Sequence, residues 1–183
     1  MLKLRPFKNC DAKKIVTWCK DEKSFRQWCS DRFETFPISA EDIIKKYVEN
    51  NGDCSEEDNF FPMTAFSEEG IVGHLIMRYT NQEKSTLRFG FIIVDSSMRG
   101  KGYGKEMLKL ALDYAFNILK VEKVTLGVFD NNPSAYHCYK SVGFKEVALE
   151  QPIIVKILDE EWNIVELEMI REEKQCEKIE KLR

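Results

Sequence analysis

Histidine and paired cysteines are what this sequence has least of. Two histidines and six cysteines in 183 residues leave little from which to build a metal centre, and no Cys-x-x-Cys pair occurs among Cys10, Cys19, Cys29, Cys54, Cys138 and Cys176. No metal is expected, and scattered thiols of this kind suit a reducing compartment, which places the protein in the cytoplasm. Long apolar runs are absent too: none approaches the roughly 20 residues that span a bilayer. The opening Met1-Leu2-Lys3-Leu4-Arg5-Pro6 lacks the apolar core of a signal peptide, so a membrane partner is not expected. Charge of one sign is also missing, with 28 basic against 31 acidic residues and a net charge of −3. That balance offers no broad basic face for nucleic acid.

What is present is ordinary for a soluble globular protein: 43% hydrophobic and 32% charged residues, enough for a sizeable core. No internal repeat or interdomain linker interrupts the chain. Residues 1–171 are expected to form one domain, and 172–183 a charged C-terminal tail or frayed helix.

The informative stretch is Arg99-Gly100-Lys101-Gly102-Tyr103-Gly104-Lys105, between the apolar run Phe89 to Val94 and a helical pattern beginning at Lys105. Glycines let backbone pass close to a ligand, and the first amides of a helix lack internal partners and carry partial positive charge. The natural ligand is a phosphate or pyrophosphate. A nucleoside-triphosphate loop is excluded, because Gly104-Lys105 is followed by Glu106 and the first glycine position is Arg99. The dinucleotide fingerprint fails as well: Gly100, Gly102 and Gly104 are evenly spaced, and no parallel βαβ unit with a ribose-binding acid is evident.

The remaining pattern, Arg-x-x-Gly-x-Gly, is followed by Asp130-Asn131-Asn132-Pro133-Ser134-Ala135-Tyr136-His137-Cys138-Tyr139 and Gly143-Phe144. Together these segments resemble the two signatures of the GNAT superfamily of acyl-CoA-dependent N-acetyltransferases, from about Leu87 to Phe144. The resemblance implies an α/β (α+β) fold, with one twisted, mostly antiparallel sheet of about seven strands flanked by helices. It implies acetyl-CoA as cosubstrate, held through its pyrophosphate by Arg99, Gly100, Lys101, Gly102, Tyr103, Gly104 and Lys105. The pantetheine arm would lie like an extra strand against the main chain of Ile92 and Val94. Asn132 is implied near the pantetheine, although capping a helix would explain it equally well. Tyr139 is the implied catalytic residue, an acid that protonates the departing thiolate.

The order of elements agrees with that fold. Leu2 to Leu4 reads as a short strand, Asp11 as the cap of a helix through Trp18, Lys23 to Cys29 as a helix, and Ser39 as the cap of another through Val48. Asn50 to Asn59 reads as a loop. Pro62 to Ser67 and Ile71 to Thr80 read as a hairpin, and Leu87 to Val94 as a best-buried central strand that is apolar on both faces. A long amphipathic helix, a strand Val124 to Val128, a helix from Asn132-Pro133 to Gly143, and strands Ile153 to Ile157 and Ile164 to Ile170 complete the chain.

In one respect the chain departs from an arrangement common in the family it resembles. Many members carry a glutamate two residues before the glycine of the central strand, and Arg88 stands there instead. Asp95, Glu166, Glu168 and His74 are the remaining candidates for a base, none with a distinguishing signal. The need depends on the acceptor: roughly one lysine-type amine in 2,500 is neutral at pH 7, against about one α-amine in seven. Trp18, Phe25, Trp28, Phe33 and Phe36 are expected mainly as core, with the early helices and the loop Asn50 to Asn59 bordering the acceptor pocket. The start of the chain is similar to that of the branch containing ribosomal-protein N-terminal alanine acetyltransferases. The expected function is therefore direct acetyl transfer from acetyl-CoA to a primary amine, of a protein N-terminus or of a small molecule. The alternative is a CoA-binding sensor or interaction module without turnover. A homodimer through the last strands is implied by analogy alone.

Overall fold

The computed structural model describes residues 1–171; the tail expected over 172–183 lies outside the described residues. Strand β1 (Lys3–Pro6) leads into α1 (Asn9–Ile15). Asp11 is not the cap of that helix. It is the third helical residue, and its buried carboxylate accepts hydrogen bonds from the Lys8 amide (2.9 Å), the Thr64 hydroxyl (2.9 Å) and both terminal nitrogens of Arg5 (2.7 and 2.8 Å). A buried carboxylate needs such full satisfaction, so Asp11 ties helix to sheet where a cap would face water. Asp21 caps α2 (Glu22–Cys29) by accepting from the Ser24 amide at 2.7 Å, and Ser39 caps α3 (Ala40–Ile44), which widens into a π turn over Lys45–Glu49.

Strands β2 (Phe61–Ser67), β3 (Gly70–Tyr79) and β4 (Thr86–Val94) follow as an antiparallel meander. Helix α4 (Tyr103–Asp113) then crosses back to β5 (Lys123–Phe129), which lies parallel to β4. This is a parallel βαβ crossover, which hydropathy alone had not made evident. Helix α5 (Pro133–Val142), capped by Asn132, and strands β6 (Lys145–Glu146), β7 (Ile153–Ile157) and β8 (Glu160–Ile170) complete the described chain. The single sheet has eight strands in the order β1-β2-β3-β4-β5-β8-β6, with β7 paired to β8.

Each face of the sheet has its own core. Leu87, Phe89, Val124, Leu126 and Leu167 pack beneath α4 and α5 with Met107, Leu108 and Ala111, while Ile76 and Ile93 meet α1 to α3 through Trp18, Phe25, Trp28, Ile43 and Tyr47. The early aromatics are core as expected, with Phe36 at the margin of this second cluster. The best-buried strand, however, is β3, whose residues Val72 to Met77 are all buried; β4 is half-exposed along Gly90 to Ile92 because a cavity opens against it.

Candidate active site

Strands β4 and β5 pair only over Thr86–Arg88 with Lys123–Thr125, although β4 continues to Val94 and β5 to Phe129. Beyond Arg88 they separate like the arms of a V, leaving main-chain groups on both inner edges without strand partners. The bulge in β4 has a local cause: register with β3 slips between His74 and Ile76, and Phe91 takes φ of +48°, a left-handed value for a non-glycine residue. The Phe91 carbonyl accepts a hydrogen bond from the Trp28 indole at 2.8 Å.

The V holds a cavity of about 690 Å3, within the range of small-molecule sites. Its lining includes Ile92 and Val94 from β4, Asn132 and Tyr139 from α5, and Arg99, Gly100, Gly102, Tyr103 and Gly104 from the glycine turn. The other two residues expected to bind cofactor, Lys101 and Lys105, are not part of the lining. Both are exposed, with the Lys101 ammonium 3.4 Å from the Met98 sulfur, so their charge acts from outside the cavity. The turn is shaped for an anion. Gly100 and Gly102 take φ of +79° and +85°, a Cβ on either would meet nothing within 4 Å, and α4 begins without a side-chain cap. Unpartnered amides at an uncovered helix start fit the pyrophosphate of acetyl-CoA.

Tyr139 is 6% exposed, and burial pushes its phenol well above the usual 10, so it is protonated at neutral pH. Its hydroxyl makes no hydrogen bond among the described residues. Asn132 caps α5 by accepting from the Ala135 amide at 3.2 Å while also lining the cavity. Burial likewise pushes up the Cys138 thiol beside Gly104, and a protonated thiol makes a poor nucleophile.

Each base candidate is engaged elsewhere. His74 is wholly buried away from the cavity, with Nε2 3.1 Å from the Tyr47 hydroxyl, and burial lowers its pKa to about 3. Asp95 is pushed up by burial, but the Ser97 hydroxyl (2.7 Å) and amide (2.9 Å) outweigh this and hold it below the ordinary carboxylate value. Glu168 lies 3.6 Å from the Lys123 ammonium. Glu166 accepts both terminal nitrogens of Arg88, each at 2.7 Å. That pair crosses the apex of the V directly over Gly127, where a Cβ would stand 2.8 Å from Arg88 Nη2 and 3.0 Å from Glu166 Oε1. A glycine inside a strand was the one sequence signal for it.

On the acceptor side, Gln27, Trp28, Asp31 and Arg32 line the cavity; the loop Asn50 to Asn59 does not. Gln27 donates from Nε2 to the Asn131 carbonyl (2.9 Å) and side-chain oxygen (3.0 Å), so α2 reaches both arms of the V through consecutive residues. Asp31 also borders a smaller cavity of about 370 Å3 with Glu34, and neither carboxylate has an ion-pair partner among the described residues. Among the described residues no cluster suits a metal ion, and no helix is long and apolar enough to cross a membrane.

An open sheet that parts beside a glycine turn and a buried tyrosine describes an acyl-CoA-using transferase, and residues 20–144 match the Acetyltransferase (GNAT) family. The chain belongs to that family: it is an acyltransferase of the N-acetyltransferase type, with acetyl-CoA as acyl donor. It is 28% identical over 145 residues to the spermidine N(1)-acetyltransferase of Vibrio cholerae, covering 79% of each chain. To the spermine/spermidine N(1)-acetyltransferase of Bacillus subtilis it is 27% identical over 108 residues, 54% of this chain and 71% of the relative. The Vibrio cholerae spermidine N-acetyltransferase in complex with CoA and spermine shares the fold, with a TM-score of 0.74 at 22% identity over 92% of this chain and 95% of that one. A dodecameric form of the same bacterial enzyme aligns with a TM-score of 0.69 at 22% identity, over 92% and 93%.

Proposed function

We propose that this protein acetylates a primary amine of a small, multiply charged amine of the polyamine type, by direct attack of the free amine on acetyl-CoA. The observation that carries the reading is the V between β4 and β5, with the glycine turn at one end, Tyr139 in its wall and the carboxylate of Asp31 on its acceptor side. Asp31 and Glu34, neither in an ion pair among the described residues, suit the distal ammonium groups of such an acceptor, and the names of the relatives point the same way. In this reading the amides from Gly100 to Lys105 hold pyrophosphate, the edges at Ile92 and Val94 hold pantetheine, and Tyr139 protonates the leaving thiolate. Oligomeric assembly fits the dodecameric relative.

With Asp95, Glu166, Glu168 and His74 engaged elsewhere, and Asp31 assigned in this reading to a distal ammonium, the attacking amine loses its proton to water. The rate at subsaturating amine should therefore rise about tenfold per pH unit well below the amine's pKa near 10.4. The first test is thermal stability with acetyl-CoA: a hundredfold excess over Kd adds about 2.7 kcal/mol. CoA release is then followed with spermidine, shorter diamines and peptide N-termini. Release fastest with polyamines supports the proposal. A stability shift with no release for any amine leaves a cofactor-binding module instead, and preference for peptide N-termini overturns the acceptor class.

A further inference from the structure

Phe91 is held in a conformation its side chain does not favour, and what holds it is Trp28. The residue has φ of +48° at the bulge, its carbonyl accepts the Trp28 indole N–H at 2.8 Å, and its ring packs against Trp28 and Phe33 with centroids 5.6 and 6.2 Å away. The β3–β4 register assigns no partner to Phe91 or Ile92, and pairing with β5 has ended by Arg88. In a trans peptide the carbonyl of one residue and the amide of the next point in opposite directions. Holding the Phe91 carbonyl on the α2 side therefore turns the Ile92 N–H away from α2. Ile92 lines the cavity and packs with the α4–α5 core, the side from which Tyr139 approaches.

We propose that Trp28 is a positioning residue for the reacting thioester: by fixing the Phe91–Ile92 peptide, it aims the Ile92 amide at the carbonyl oxygen of the acetyl group. The inference rests on the acetyl-transfer reading above and adds a residue from a helix outside both signature segments. A preorganised backbone donor gains most when negative charge develops on that oxygen during attack, so its worth lies in the transition state. The indole matters for its N–H, since an apolar ring of the same size would pack beneath the bulge without holding the carbonyl.

The test replaces Trp28 with β-(3-benzothienyl)alanine, which keeps the ring shape and removes the donor, alongside Trp28→Phe. Two quantities are read: kcat and KM for acetyl-CoA, and the infrared carbonyl stretch of bound acetyl-CoA labelled with 13C in the acetyl group. Expected are a kcat lowered roughly tenfold to a hundredfold, an almost unchanged KM for acetyl-CoA, and a carbonyl band shifted toward its position in free solution. An unmoved band, or an unmoved kcat, in the folded benzothienyl protein overturns the proposal. If the wild-type protein releases no CoA with any amine, the functional reading fails by itself, and the band alone still decides whether Trp28 sets the peptide.

Discussion

Lowering the pH from 6.5 to 5 should cost the folded protein about 1.6 kcal/mol through a single side chain, His74. The ring is wholly buried, stacked on Tyr47 with centroids 5.5 Å apart and edge-on to Phe7 at 5.8 Å, with Nε2 3.1 Å from the Tyr47 hydroxyl. Burial lowers its pKa to about 3; the nearby Asp11 carboxylate pulls the other way, but Arg5 already pairs with that charge. An unfolded histidine takes its proton near 6.5 and the folded one only near 3. Between those values the unfolded chain binds more protons, so stability falls as pH falls, by about 1.4 kcal/mol per unit once the unfolded histidine is mostly charged. At pH 6.5 the unfolded histidine is only half charged, so over the 1.5 units to pH 5 the loss is about 1.6 kcal/mol. Asp11, Asp42 and Asp95 have lowered pKa values, so their contributions are lost only below the ordinary carboxylate range and leave this window clear. Urea denaturation followed by tryptophan fluorescence at pH 6.5 and 5.0, on wild type and His74→Gln, makes the measurement. The variant should show less than a quarter of the wild-type loss. Equal losses in the two proteins would refute the assignment and return His74 to the list of groups that titrate near neutrality.

Tyr139→Phe removes a hydroxyl with no hydrogen-bond partner among the described residues, so stability at pH 7 should change by about 0.5 kcal/mol or less while kcat falls about a hundredfold. The phenol is raised by burial, so its contribution to stability is present below pH 10 and lost above it; the variant should resist alkali better than wild type, and equal turnover would remove the proton-donor role. Gly102→Ala meets no steric obstacle, so its cost in urea unfolding is that of φ at +85° alone, roughly 1 kcal/mol, and a neutral result would mean that the turn tolerates another backbone. Gly127→Ala drives a methyl against the Ile164 side chain as well as the partly exposed Arg88–Glu166 pair, so unfolding should be eased by about 1 kcal/mol and only the part due to the pair should vanish in Arg88→Ala.

The order of strands and helices, the glycine turn and the helix led by Asn132-Pro133 were legible because each depends on neighbours in the chain: alternation, caps and glycine conformation. The misreadings share a different origin. Asp11 looks like a cap until Arg5 and Thr64 arrive from β1 and β2, and β4 looks best buried until the V opens beside it. At the bulge the positive φ falls on Phe91 and not on Gly90 beside it, since a tryptophan sixty-three residues earlier holds it. The Arg88–Glu166 pair joins residues seventy-eight apart, and only Gly127 hinted at it. Long-range pairing of this kind is a property of the assembled sheet.

Only three residue pairs join β4 to β5, and these are the rungs that connect β1 to β4 with β5 to β8. The sheet is thus two half-sheets stitched along a short seam, with α4, α5 and the α2 contacts acting as splints. A pantetheine chain lying in the gap would serve as a ninth strand, lengthening the seam. Mechanical pulling across the halves, or limited proteolysis of their connections, should then find the ligand-free protein parting first along this line, and the acetyl-CoA complex yielding as one body.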